Sequence, residues 1–367
     1  IERSQVMNAR NIVQLADFGA PVHSGNAAEI VRFLDAFEAA NVSLLAPRRC
    51  SERMGWVGSD TFLYGRTSIG APVDVVENDA NRKLISGVGV GGSWVEWAKI
   101  IDTHVKHRPL VMLGIYTSVA SLLLHVLDQP GFVVEWSGMT SRGKTTTLRV
   151  AASVYGIPDD KGDGMIYSWK ARSVASFMYS AFVLQNFPLI LDDTKRQPNH
   201  EVIASMMYDH PSGQDSNRGT ADGKMRPTNR WRSILMSTGE APITSFSRDG
   251  GGRARCLSLR GAPFGDESTE NQGSTNDVRD GLLKNYGHLG QRVIEYLILN
   301  KEAWKRLRDQ YDAALDALTK GATDAVSCRL YEYVATIAVA ARLCHELGVP
   351  ADQEEALRVM CSYIEEG

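Results

Sequence analysis

The spacing of apolar positions changes several times along the chain, and each change marks an element. Over 27–41, Ile30, Val31, Leu34 and Phe37 recur at helical intervals. Short pieces at 55–57 and 61–64 read as strands, and 83–90 reads as a strand broken by glycine. Ser93 and Glu96 match a capping box that opens a helix. From 131 to 263 the pattern alternates, with strands at 132–136, 187–191 and 231–236 and helices at 144–155, 173–182 and 201–208. Such alternation predicts a parallel sheet flanked by helices. A polar stretch, 265–276, leads into helices at 292–299, 303–318 and 325–347. The expected organisation is α/β: a small N-terminal α+β unit over 1–82, the sheet core with its preceding helices over 83–264, and a helical lid over 265–367.

Residues 110–127 carry no Asp, Glu, Lys or Arg and approach the length of about 20 residues that a bilayer span needs. They also hold Thr117, Ser118, Ser121 and His125 and directly precede the first strand of the alternating region, so a helix buried between layers is expected, and no membrane partner. Net charge is -3, which removes any global attraction to polyanions and leaves only local basic patches for that role. The five cysteines form no C-x-x-C pair, which argues against a disulfide framework or a structural zinc and fits a reducing cytoplasm. The chain starts at Ile1 without a methionine and reads as a piece of a longer polypeptide.

One string carries recognisable chemistry. Gly138-Met139-Thr140-Ser141-Arg142-Gly143-Lys144-Thr145 fits G-x-x-x-x-G-K-[ST] in full, with strand signals before it and helix signals from Thr146 onward. The glycines let backbone N–H groups curl toward an anion, and the opening helix adds its positive end. Lys144 would reach the terminal phosphates of a nucleotide, and the Thr145 hydroxyl a magnesium ion. The second requirement is an acid at the end of a buried strand, and the run 187–191 ends in Asp192-Asp193. Asp192 is expected at the metal and Asp193 at the attacking water.

The strand from Trp231 ends in Ser237-Thr238-Gly239-Glu240, small polar residues suited to sensing a γ-phosphate: Ser237 or Thr238, with Glu240 as a further candidate. A glycine-rich loop follows, and either Arg253 or Arg255 suits an arginine finger reaching a neighbouring subunit. Arg329, on a later helix, is a candidate for a second phosphate-sensing arginine.

The string from Ser93-Trp94-Val95-Glu96-Trp97 through 138–145 to Trp169, Leu191-Asp192-Asp193 and Trp231…Glu240 resembles the phage and plasmid ATPases of domain of unknown function 927, over about 8–350. That family is related to AAA+ hexameric helicases of the minichromosome-maintenance type. The resemblance implies an AAA+ type P-loop sheet, ATP and Mg2+ as ligands, a homo-hexameric ring, single-stranded DNA as track, and a primase as a further partner. Two features depart from it: Asp193 stands where the family has Glu, and the Gly-x-Gly-Lys before its hairpin arginine is missing at 213–218. In ring motors of this kind a hairpin between the acid strand and the next strand enters the pore. Here Asp222-Gly223 is a hairpin-turn signal, and Arg218, Lys224, Arg226 and Arg230 flank it as DNA contacts. Trp169, Lys170 and Arg172 suggest a second pore loop.

Three readings follow. The first is an ATP-dependent DNA helicase or translocase of a mobile element. The second is a nucleotide-gated assembly scaffold that hydrolyses slowly, which the shorter Asp193 favours. The third, a small-molecule kinase, is opposed by the long N-terminal region, the arginine-rich loop and the helical tail.

Overall fold

The computed structural model describes residues 3–45, 48–170, 172–215, 228–246, 250–320, 324–351 and 353–365. They divide into two compact units, Ile1–Arg49 and Cys50–Gly367. In the first, the helix Ala27–Ala40 sets Ile30, Val31 and Leu34 against a small core of Ile12, Val22 and Ala27.

The second unit is built on five parallel strands: β1 (Val133–Ser137), β2 (Ile166–Ser168), β3 (Leu189–Asp192), β4 (Leu235–Gly239) and β5 (Cys256–Arg260). Their order is β5-β1-β4-β3-β2. Parallel strands need crossovers, and all of β1, most of β3 and all of β4 are buried; the apolar run is continuous over Leu189–Leu191 of β3 and is broken by Glu135 in β1 and by Ser237 and Thr238 in β4. The edge strands β2 and β5 escape the sequence pattern because they are short and mixed. The strand expected at 231–236 starts only at Leu235. Before that point the Trp231 N–H turns to the carbonyl of Gly213, and its indole donates to the carbonyl of His210.

Helix α1 (Pro109–Leu127) is the buried element. It is the one described helix long and apolar enough to cross a membrane, and 89% of its apolar window lies inside the protein. Two of its hydroxyls are satisfied in place, whereas the buried Thr117 hydroxyl has no partner among the described residues. Ser118 donates to the carbonyl of Ala151 at 2.8 Å, and Ser121 donates to that of Asn186 at 2.9 Å while accepting from the Ile234 N–H. Gly114 allows close approach to Thr147 on helix α2 (Lys144–Ala152), which fixes α2 against the core.

Three local expectations are corrected. Residues 82–87 are helical, because the Asn81 side chain accepts from the Asn78 N–H and donates to the carbonyls of Glu52 and Val76, winding the chain before Leu84 and Ile85 enter the core. Ser93 caps its helix through the Val95 N–H, but its own N–H is met by Asn285 rather than Glu96. The polar stretch after 265 becomes helix α3 (Thr269–Leu282), capped by Ser268, with Val278 and Leu282 buried. A three-stranded antiparallel sheet (Gly55–Trp56, Thr61–Tyr64, Thr67–Gly70) is tied to the core by the Tyr64 hydroxyl, 2.7 Å from the Tyr155 carbonyl and 2.8 Å from that of Gly287.

Candidate functional site

The site forms where β1, β3 and β4 end together. After Ser137 the chain bends at Gly138 (φ +147°), where a side chain would sit 2.7 Å from the carbonyl oxygen of Gly261. It then passes Ser141 in a left-handed conformation and reaches Gly143 (φ +82°), where a side chain would meet the Phe264 ring at 2.3 Å. Both positions admit only glycine, for conformational and steric reasons. Helix α2 opens directly behind with Lys144, so its free N–H groups point into the bend.

The Lys144 ammonium curls back to donate to the carbonyls of Gly138 and Met139, each at 2.6 Å. Partial burial lowers its pKa, against the pull of Glu240, Asp193 and Asp192. The Thr145 hydroxyl donates to Asp192, 3.1 Å from Oδ1. Strand β4 lies between β1 and β3 and supplies the bridge. Thr238 donates to Asp192 Oδ1 at 2.6 Å and accepts from the Asp193 N–H at 3.0 Å. Asp193 holds a left-handed backbone (φ 64°), and its carboxylate takes the Lys195 N–H and pairs with Arg196 at 3.3 Å. Thr140 donates to Glu240 at 2.9 Å, and Lys195 pairs with Glu240 at 3.0 Å, which holds that exposed carboxylate below its ordinary pKa. These groups line a cavity of about 550 Å³, within the range of small-ligand sites. Arg142 and Thr146 lie on the same wall, and Asn271, Gln272, Thr275 and Asn276 of α3 close the other side.

Two features in and beside the site escaped the sequence reading. The amide face of α3 was hidden in a polar stretch whose only helix signal was the Val278/Leu282 spacing. Glu135 interrupts the apolar run of β1, and that interruption was its signal. It is fully buried, accepts from Ser258 at 2.7 Å, and keeps Oε1 without a partner among the described residues. Burial pushes its pKa up to about 7, against the opposing pull of Ser258.

The remaining candidates lie elsewhere. The Trp169 indole is fully buried and donates to Ser237 at 2.9 Å, while the Arg172 guanidinium lies over the Tyr167 and Phe177 rings. Trp169 and Arg172 are therefore engaged in packing while Lys170 is exposed, and Ser237 is engaged while Thr238 faces the acids. Arg255 precedes β5 at the opposite edge of the sheet, over the Tyr208 ring, and shares a cavity of about 320 Å³ with Arg329. The Arg253 side chain lies outside the described residues, as do Arg218, Lys224 and Arg226. Arg230 is exposed, and its residue bridges to Gln214. No group of three or more His, Cys, Asp or Glu arranged for a metal occurs among the described residues, so any metal here would rest on Thr145 and Asp192 with a bound ligand.

Fold and site together define an α/β protein with a glycine-rich loop at the carboxyl ends of a parallel sheet. The profile of the family described as Domain of unknown function (DUF927) matches residues 3–230, and the chain belongs to that family. Its fold is similar to that of a solved active helicase, SCCmec type IV Cch, with a TM-score of 0.75 and 18% identity, covering 99% of this chain and 68% of that one. An inhibitor-bound JCV helicase superposes loosely, at a TM-score of 0.30 and 9% identity, covering 90% of this chain and 83% of that one. No curated protein matches the sequence.

Proposed function

We propose that the chain is an ATP-hydrolysing motor that translocates on, and unwinds, DNA for a mobile element. The observation that carries this reading is the hydrogen-bonded chain Thr145–Asp192–Thr238–Asp193 N–H at the mouth of the 138–145 loop. The residues fit a nucleotide. Gly138 and Gly143 keep the cradle open, and Lys144 rests on two carbonyls that a triphosphate would replace. The chain from Gly138 to Thr146 holds the phosphates through its N–H groups. Magnesium, held by Thr145 and Asp192, would neutralise phosphate charge there. Thr238 keeps Asp192 oriented and fixes the peptide of Asp193, and Asp193 receives the proton of the attacking water.

Arg255, just before β5, and Arg329, on a helix, line one cavity that is separate from the cavity of Lys144 in their own chain. That placement suits action on a neighbour's nucleotide and supports a ring, a homo-hexamer by family resemblance. Arg253 remains an alternative for the same role. Arg218, Lys224, Arg226 and Arg230 would grip single-stranded DNA phosphates, and a primase is the expected replication partner in the cytoplasm. The slow-hydrolysing scaffold stays as a second reading for a specific reason: Asp193 is already engaged by Arg196 and the Lys195 N–H.

ATP turnover by wild type and Lys144→Ala, with and without single-stranded DNA, tests the motor. DNA-stimulated turnover that vanishes in the variant, with strand displacement on a forked duplex, is expected. Turnover indifferent to DNA and to the substitution would refute it, whereas turnover without displacement selects the scaffold. Mass measurement with a non-hydrolysable analogue tests the ring.

A further inference from the structure

A second cavity, of about 820 Å³, opens at the edge of the sheet opposite the 138–145 loop, where the chain enters β1, β3 and β4. Arg53, Arg230 and Arg232 line it, and Asp128 is the only acid among the described residues that line it. That acid is committed to Arg232 at 2.7 Å. Arg53 and Arg230 have no carboxylate partner among the described residues. Arg53 is partly buried, and the loss of water lowers its pKa. A desolvated cation without a counter-charge is costly, and an anion entering the cavity would offset that cost. Trp56, only 6% exposed, lines the same cavity, and its buried indole N–H has no acceptor among the described residues.

We propose that this cavity binds backbone phosphates of a polynucleotide strand, the identity of the ligand resting on the function proposed above. The aromatic rings explain why phosphates and not bases would be read. Trp56 is stacked on His125 at 5.6 Å and packed edge-on against Trp304 at 5.3 Å, and Trp231 donates its indole N–H to the His210 carbonyl. Trp56 and Trp231 are only 6% and 5% exposed, too little for either ring to stack on a base. Burial holds the His125 pKa down, with Arg232 adding to it, so the imidazole brings no charge and the guanidiniums dominate. The cavity is larger than one phosphate ion needs. Arg53 and Arg230 come from separate elements, the entry to the antiparallel sheet and the approach to β4, which suits successive phosphates of one strand. Binding is therefore sequence-independent and salt-sensitive.

The test is anisotropy of a labelled oligothymidylate over a salt series, with wild type, Arg53→Gln and Arg53→Lys. Arg53→Gln should bind about tenfold more weakly, with a salt slope shallower by about one contact, and Arg53→Lys should recover most of the affinity. Thermal melting of each variant checks that it folds. Equal affinity and slope for folded Arg53→Gln would overturn the proposal. So would competition by inorganic phosphate or thymidine monophosphate as strong, per molecule, as by unlabelled oligothymidylate, which would make this a free-phosphate site. A fluorescent ATP analogue is titrated separately into wild type and Lys144→Ala. Failure of that binding would sink the reading of the 138–145 loop while leaving the strand site to stand on its own data.

Discussion

The Thr238 hydroxyl stands 2.6 Å from Oδ1 of Asp192 and at the same time receives the N–H of Asp193. One side chain on β4 thus orients both acids at the end of β3. Removing it should leave the phosphate cradle intact and misplace the acids. Thr238→Val is expected to lower kcat of ATP turnover about 10–100-fold with KM little changed, and Thr238→Ser to restore most of it. A rise in KM at unchanged kcat would show that Thr238 serves binding instead.

Asp193→Asn removes the proposed proton acceptor but keeps a carbonyl oxygen for the Lys195 N–H. Turnover should drop by about 100-fold or more, while binding of a fluorescent ATP analogue persists. Asp193→Glu reaches one methylene further and should raise turnover if side-chain length limits hydrolysis. A fall in both variants would instead point to the Arg196 pairing as the requirement.

Gly143→Ala forces a side chain into the Phe264 ring at 2.3 Å and a positive φ that L residues avoid. The expected cost is about 1–3 kcal/mol in stability together with loss of nucleotide binding, read by urea denaturation and analogue titration. Wild-type behaviour in both would mean that the loop rearranges freely.

Glu135 has a folded pKa of about 7 against an ordinary 4.5. Between those values the folded chain holds the extra proton, so stability is full below about pH 4.5 and is lost as pH rises through 7, by up to roughly 3 kcal/mol. Glu135→Gln removes the titration and should flatten this dependence. Urea midpoints of the two proteins compared near about pH 5 and about pH 8 decide it. If both midpoints move in parallel, another group carries the dependence.

Much of the core was legible beforehand because its signals are local. The apolar runs that become β1 and β3, the glycine bend and the helix behind it are written in consecutive residues, and each obeys backbone rules that hold wherever the segment sits. Single-segment errors arose where a distant partner intervened. Asn81 winds 82–87 by binding carbonyls of Glu52 and Val76, and the edge strands β2 and β5 are each paired on one side only.

The sequence by itself determined that a phosphate-type loop lies between a strand and a helix, and that two acids end a buried strand. Only the tertiary structure decided that Thr238 joins those acids, that Trp169 turns inward to Ser237, that α3 walls the cavity, and that Glu135 sits in the core without a full set of partners. The reason is physical. Parallel crossovers carry strand ends that are distant along the chain to one edge, with β4 inserted between β1 and β3. Hydrogen bonds and desolvation depend on which groups meet there, and spacing along a single segment does not encode that meeting.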